Sequence, residues 1–285
     1  MKPQSAVVDA AKAYLPREYW TDLAQGAPAA DFSGFAPILH PDAPAWFNRL
    51  IDDLQFRGVR RALALSSARP GERILDVGCG TGRWLRRYQD LGLSATGVDA
   101  TTPMLRLARG LGTITPVVVG EAQRLPFKDA HFDLISDVTV VQHIPASFQT
   151  EAVREMARVL KPGGHMILME LIRGQAEHIF PRSPREWIEL ATSQGLRLTD
   201  WFGQEYLLLD RLFVRAALAF TRNNGKPMPG ASTATASAAR HSPSARRLYW
   251  RIRHVTAPLS AWTDPLAEKL CCGEAATHAV FIFQK

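Results

Sequence analysis

Through the middle of the chain, short strand-like segments alternate with stretches whose apolar residues recur every three or four positions. Segments at 74–77, 94–98, 115–119, 134–136 and 165–170 have the length of strands, and the first is an apolar run of the kind buried on both faces. Between them lie a helix opening near Gly82, another over 102–109, and the amphipathic stretch 151–160, which ends at a Lys161-Pro162-Gly163-Gly164 turn. This alternation predicts an α/β fold with a doubly wound parallel sheet and right-handed crossovers. A further helix is predicted over 184–194, with Ser183 as its cap and Glu186 three residues on.

Both ends of the chain depart from the pattern. Residues 1–70 read as a helical cap: breaks rich in Pro, Gly and Ala run from Gly26 to Pro44, and then Trp46, Phe47, Leu50, Ile51, Leu54, Val59 and Leu63 recur near helical spacing. The core is expected to occupy 71–205 and to be followed by an insertion over 206–265. Within the insertion, 204–221 is strongly apolar, whereas 225–245 is made of small, Pro, Ser and Thr residues that bury too little surface to offset their ordering entropy, which predicts a flexible loop. The segment 266–285 ends in a strand over 277–283 (THAVFIF), so the insertion hangs between two strands of one sheet.

Composition narrows the class. The 285 residues are 46% apolar and 21% charged, which excludes wholesale disorder. No run of about 18 uncharged apolar residues marks a membrane span, and the N-terminus lacks the apolar run of a secretory signal, so a cytoplasmic protein is expected. Cys79, Cys271 and Cys272 have neither disulfide-framework nor zinc-site spacing and are expected as reduced thiols. The net charge of +7 is a local property. Nine basic residues and no acid lie within 211–254, and removing these nine leaves the rest at a net −2.

The chemistry concentrates at Leu75-Asp76-Val77-Gly78-Cys79-Gly80-Thr81-Gly82, directly after one strand and opening a helix. Glycines at 78, 80 and 82 let the backbone turn tightly and pass close to a ligand, and the helix N-terminus offers unpaired N–H groups. A nucleotide-like ligand belongs at that edge of the sheet. Asp76 stands just ahead of the turn, and Asp99 ends the next strand, where a carboxylate accepts from both hydroxyls of a ribose. Downstream follow Gly120-Glu121-Ala122 with Leu125-Pro126-Phe127, then Phe132-Asp133-Leu134-Ile135-Ser136, then Arg158-Val159-Leu160-Lys161-Pro162-Gly163-Gly164.

In these four ordered motifs, over about 71–170 and in the closing strand, the sequence resembles the class I S-adenosylmethionine-dependent methyltransferases. The resemblance implies a Rossmann-like, seven-stranded, mostly parallel sheet whose antiparallel last strand is inserted between two earlier ones. It implies S-adenosyl-L-methionine as cofactor and S-adenosyl-L-homocysteine as product; no clear set of three oxygen ligands for a divalent metal appears in the sequence, so metal-free alignment is expected. It further implies that Asp76 and the turn Gly78, Cys79, Gly80, Thr81, Gly82 hold the methionyl part and Asp99 the ribose, with Ala100 alongside. Met104 and Ala122 would take the adenine face, and Glu121 its amine, where the family usually has Asp. Asp137 and Val138 close the cofactor set at the end of the fourth strand. Tyr14, Tyr19 and Trp20 resemble the aromatic lid of some small-molecule members; the alternative is plain packing of an amphipathic helix.

Methyl transfer from a sulfonium is an in-line displacement, so the protein's task is alignment and exclusion of water. Candidates to take a proton or position the acceptor follow the fourth strand: Asp137, Thr139, Gln142 and His143. His143 is the leading candidate base, since an imidazole titrates near neutrality, and a packed or capping histidine is the alternative. The Asn/Asp-Pro-Pro-aromatic signature of nucleobase or glutamine amine methylation is absent at 137–140. A methyltransferase acting on an oxygen or nitrogen of a small organic acceptor is therefore expected. The alternatives are a lipid-like acceptor at a membrane surface and a non-catalytic S-adenosylmethionine-binding protein. For the basic insertion, a pocket cover that binds an acidic small molecule, contact of 206–254 with an anionic membrane, and simple solubility compete. RNA is disfavoured, because no RNA-binding module is recognisable.

Overall fold

The computed structural model describes residues 15–26, 39, 43–174, 178–214 and 243–285. Tyr14 and most of the predicted loop at 225–245 lie outside them. Two helices, α1 (Pro16–Gly26) and α2 (Ala45–Leu65), precede the sheet. Then follow β1 (Arg73–Val77), α3 (Arg83–Asp90), β2 (Ser94–Asp99), α4 (Thr102–Gly110), β3 (Val117–Val119), β4 (Phe132–Val138), α5 (Ala146–Val159), β5 (Leu160–Leu171), α6 (Pro184–Thr192) and β6 (Arg197–Gln204). After a helical segment over 208–214 come α7 (Pro243–Leu270) and β7 (His278–Gln284).

The seven strands form one sheet in the order β3-β2-β1-β4-β5-β7-β6. β3, β2, β1, β4 and β5 are mutually parallel, and β7 enters antiparallel between β5 and β6. The apolar character of the strands has its cause here. Ile74, Leu134, Ile167, Val280 and Ile282 pack under α2 and α3, while Leu75, Ile135, Leu168, Phe281 and Phe283 pack under α5 and α6. Strands covered on both sides have no polar face to alternate with.

Two local expectations shift. The strand at 197–204 had no apolar signature, because β6 is an edge strand with much of its length exposed and its pairing with β7 slips between Leu198 and Asp200. The Lys161–Gly164 turn is a bulge within β5: Leu160 pairs with Phe132 and His165 with Leu134, so the four residues between them loop out. Gly163 there has φ +79°, a conformation open to glycine. The cap of α6 is as expected, with Ser183 Oγ accepting from the Glu186 N–H and Glu186 Oε2 accepting from the Ser183 N–H at 2.7 Å.

α7 joins α2 in a third layer. Phe47, Ile51 and Leu54 of α2 cluster with Leu207, Ala257 and Ala261. α2 is also tied inward. Asp52, 3% exposed, accepts from Arg83 Nη1 at 2.8 Å and from Arg87 at 2.5 Å, and Gln55 Oε1 accepts from Arg83 Nη2 at 2.7 Å.

Candidate functional site

The carboxyl ends of β1, β2 and β4 open on a cleft of about 440 Å³. Its floor is the turn after β1, where Gly78, Gly80 and Gly82 have φ +66°, +51° and +73°. At Gly78 a Cβ would stand 2.5 Å from the Val140 side chain, so the turn and the segment after β4 touch at a glycine for lack of room. The Cys79 N–H donates to Val98 O at 2.9 Å and the Gly80 N–H to Asp99 Oδ2 at 2.9 Å, which fastens the turn to β2. Asp99 Oδ1 accepts from the Thr101 N–H (2.9 Å) and hydroxyl (2.8 Å). Burial pushes the Asp99 carboxyl above its ordinary range against these three bonds.

Gly78, Cys79 and Gly80 line the cleft from below, and Asp99, Ala100 and Met104 from the side of β2 and α4. Glu121 and Ala122 form the far rim, and Val138, Thr139 and His143 the opposite wall. Asp76, Thr81 and Gly82 stand behind the turn, outside the lining. Asp76 is buried with Oδ2 lacking any partner among the described residues, and burial, opposed by the nearby Arg83 charge, drives its carboxyl well upward. The Cys79 thiol is pushed well up by burial and by the Asp76 and Asp99 charges, so it is an apolar wall group rather than a nucleophile.

The structure also lines the cleft with Arg83 and Trp84, which the sequence motifs did not single out. Their signal was present: they are the first helical residues after the glycine turn, on the helix end that the turn aims at the ligand.

α1 lies over the opening. Leu15, Arg17, Glu18 and Trp20 face the cleft, and Arg17 Nη2 pairs with Glu121 Oε1 at 2.7 Å. Trp20 meets His143 edge to face with ring centroids 5.0 Å apart. Tyr19 is turned away from the cleft: its ring stacks on His178 at 4.5 Å and its hydroxyl lies 3.3 Å from His178 Nε2.

The wall after β4 departs most from expectation. Asp137 does not reach the cleft; it is fully buried beside Glu170 of β5. Glu170 accepts from the N–H groups of Val140 (3.2 Å), Val141 (2.8 Å) and Gln142 (3.2 Å), capping the short 3₁₀ turn Val141–His143. This cap holds Thr139 at φ +59°, a strained conformation for a β-branched residue. Burial, above all, raises Asp137 to about 7 and drives Glu170 well upward, with the Asp137 charge the next cause for Glu170. Two carboxyls buried side by side cannot both ionise cheaply, so the pair retains a proton at neutral pH. Asp137 is thus a prop of the wall, where a catalytic or cofactor contact was expected.

Gln142 is likewise behind the wall: its Oε1 accepts from the Leu171 N–H at 2.7 Å and its Nε2 lies 3.2 Å from His143 Nε2. His143 Nδ1 donates to His178 O at 3.0 Å, which leaves Nε2 as the acceptor nitrogen. Burial lowers the imidazole to about 3, so it is neutral at physiological pH.

The buried pair makes a pH prediction. A carboxyl raised from 3.8 to about 7 contributes stability below pH 4 that is lost as pH rises through 7. His143, lowered from 6.5, has the opposite sign over about pH 3–6.5 and is common to both proteins, so it cancels in a comparison. Asp137→Asn is therefore expected to gain on the native protein with a slope of up to about 1.4 kcal/mol per pH unit between pH 4 and 7, and then to level off. Urea unfolding of both proteins across that range checks it, and a flat difference would refute the shared proton.

Known proteins resemble this chain over its core. Residues 75–168 match the family described as methyltransferase domain. The match takes in the glycine turn, Asp99 and the segment after β4, and makes this stretch similar to S-adenosylmethionine-dependent methyltransferases. Over 134 residues the chain is 34% identical to the ubiquinone/menaquinone biosynthesis C-methyltransferase UbiE of Laribacter hongkongensis, covering 42% of this chain and 54% of that protein. Over 122 residues it is 33% identical to the malonyl-[acyl-carrier protein] O-methyltransferase of Serratia marcescens, covering 42% and 46%. The chain thus spans about half the length of these curated relatives. The crystal structure of the [4+2]-cyclase SpnF shares the fold, with 23% identity, 80% of each chain covered and a TM-score of 0.51.

Proposed function

We propose that this chain moves a methyl group from S-adenosylmethionine to an oxygen or nitrogen of a small organic acceptor. The observation that carries it is Asp99: a half-buried carboxylate at the end of β2, pinned by Gly80 and Thr101 and still on the cleft wall. The lining fits the cofactor. Asp99 suits the ribose hydroxyls, and Met104 and Ala122 offer an apolar seat for a purine beside Glu121. When bound, the sulfonium supplies an electrophilic methyl and a neutral thioether leaving group.

The chain's own residues align and enclose. α1 covers the opening, which excludes water, and Trp20 packs on His143. His143 Nε2, met at 3.2 Å by the Gln142 amide, exchanges that bond for the acceptor's O–H or N–H and so orients the attacking lone pair. An imidazole titrating at about 3 is a weak base, yet the attacking oxygen becomes strongly acidic as its new C–O bond forms, and the proton passes to Nε2 at that stage. Carbon is the second reading, favoured by the likeness to a C-methyltransferase.

Calorimetric titration with S-adenosylmethionine and S-adenosylhomocysteine, followed by a ¹³C-methyl screen of extract fractions, tests the proposal; the methyl shift of the product reports O, N or C. Absence of binding to either compound overturns it, and binding with no methylated product favours a non-catalytic role. His143→Ala is expected to lower kcat by about 100-fold or more with cofactor affinity nearly unchanged. Intact turnover in that variant would remove His143 from the reaction.

A further inference from the structure

The outer face of α7 is the feature of the molecule that the cleft leaves unused. The inner face of this helix is satisfied: Thr256, Ala257, Ser260, Ala261, Asp264 and Ala267 are buried. Asp264 accepts from the N–H groups of Tyr206 (3.1 Å) and Leu207 (2.9 Å), and Arg253 pairs with Asp210 at 2.6 Å. At 100° per residue the opposite strip carries Val255, Leu259, Trp262 and Leu266, with Leu270 at its edge. These side chains are 67%, 47%, 79%, 57% and 76% exposed, so a row of core-type residues faces outward along four turns of helix. Arg247 and Arg251 precede the row and Lys269 ends it, all three exposed. No acid shares the face: of the two acids in α7, Asp264 points inward and Glu268 is paired with Arg61 of α2.

We infer that α7 docks the protein on an anionic phospholipid surface, with its axis in the plane of the interface and Trp262 at the centre of the contact. The composition of the face decides the occupant. An apolar strip with an indole at its middle and cations at both ends, lacking carboxylates, matches the acyl boundary beneath a layer of negative headgroups. A second copy of the chain matches poorly. Pairing two such faces head to tail about residue 260 sets Arg251 opposite Lys269, and pairing them in parallel sets each cation against its own kind. The contact shares only Arg247 and Arg251 with an approach through 206–254 and is centred further along, on 255–270. No helix among the described residues is long and apolar enough to cross a membrane, so the attachment is peripheral. The inference stands whether or not the cleft transfers a methyl group.

Co-sedimentation of the full chain with vesicles tests it. At low ionic strength the protein is expected to pellet with phosphatidylcholine vesicles containing about one-third phosphatidylglycerol at least about tenfold more than with phosphatidylcholine alone, and to be released by high salt. Two double variants, Trp262→Ala with Leu266→Ala and Arg251→Glu with Lys269→Glu, alter only exposed side chains. Each is expected to cut the bound fraction about tenfold, with the melting curve and the calorimetric titration with S-adenosylhomocysteine matching those of the native chain. Three outcomes overturn the inference: a native protein that stays in the supernatant, variants that pellet like it, or light scattering that shows a dimer which the Trp262 variant dissociates. The last would make the face a contact between copies.

Discussion

Asp99→Ala is expected to weaken S-adenosylmethionine binding by about 100-fold or more in a calorimetric titration, with only a modest change in melting temperature. Two hydrogen bonds from ribose hydroxyls to a carboxylate are each worth about 1.5–3 kcal/mol, and about 3 kcal/mol already exceeds 100-fold in Kd. Asp99 also holds the Gly80 N–H, so its loss loosens the turn beneath the cofactor as well. Stability should change little because two effects oppose each other. The variant leaves the Gly80 and Thr101 donors without their acceptor, but it also removes a carboxylate that burial disfavours. If affinity were retained, the cleft would not be a nucleoside site, and the functional proposal would fall with it.

Asp52→Ala is expected to cost about 3–5 kcal/mol of stability, because it strands the Arg83 guanidinium, which is 6% exposed, with Gln55 as its remaining bonded partner. At about 2–4 °C per kcal/mol for a large domain, the melting temperature should fall by roughly 10 °C. The size follows from burial rather than from the presence of an ion pair. Glu151→Ala removes the Arg154 pair, whose side chains are 61% and 48% exposed, and is expected to shift stability by less than about 0.5 kcal/mol. Differential scanning of both variants settles the contrast. Equal shifts would mean that the Asp52 cluster does not hold α2 to α3.

Asp52 also marks a limit of sequence reading. The glycine turn and Asp99 are legible because their geometry is made locally: positive φ at 78, 80 and 82, a helix start, and a carboxylate at the end of the next strand. By contrast, nothing near Asp137 announces that its neighbour is Glu170, 33 positions on, or that the two share a proton. Read from its immediate context, Asp137 looked like a candidate base or cofactor contact. Packing between β4 and β5 turned it into a support for the Thr139–His143 wall. Arg83 was overlooked for the same reason: a basic residue at a helix start looks solvated until α2, 31 residues earlier, covers it.

The charge of the late insertion shows the division from the other side. Its nine basic residues were countable, but their use depended on which side of a helix each one took. Arg253 went inward to Asp210, whereas Arg251, two positions away, went outward beside Val255 and Trp262. The alternation of strands and helices, the glycine turn and the acid at the end of β2 were legible in residues close in sequence, through backbone sterics and apolar periodicity, and the inserted last strand was implied by the family resemblance. The edge strand β6, the ring contact of Trp20 with His143, the neutral state of that imidazole and the exposed face of α7 came from surfaces brought together over long separations. There, burial and the identity of the neighbour set both charge and role.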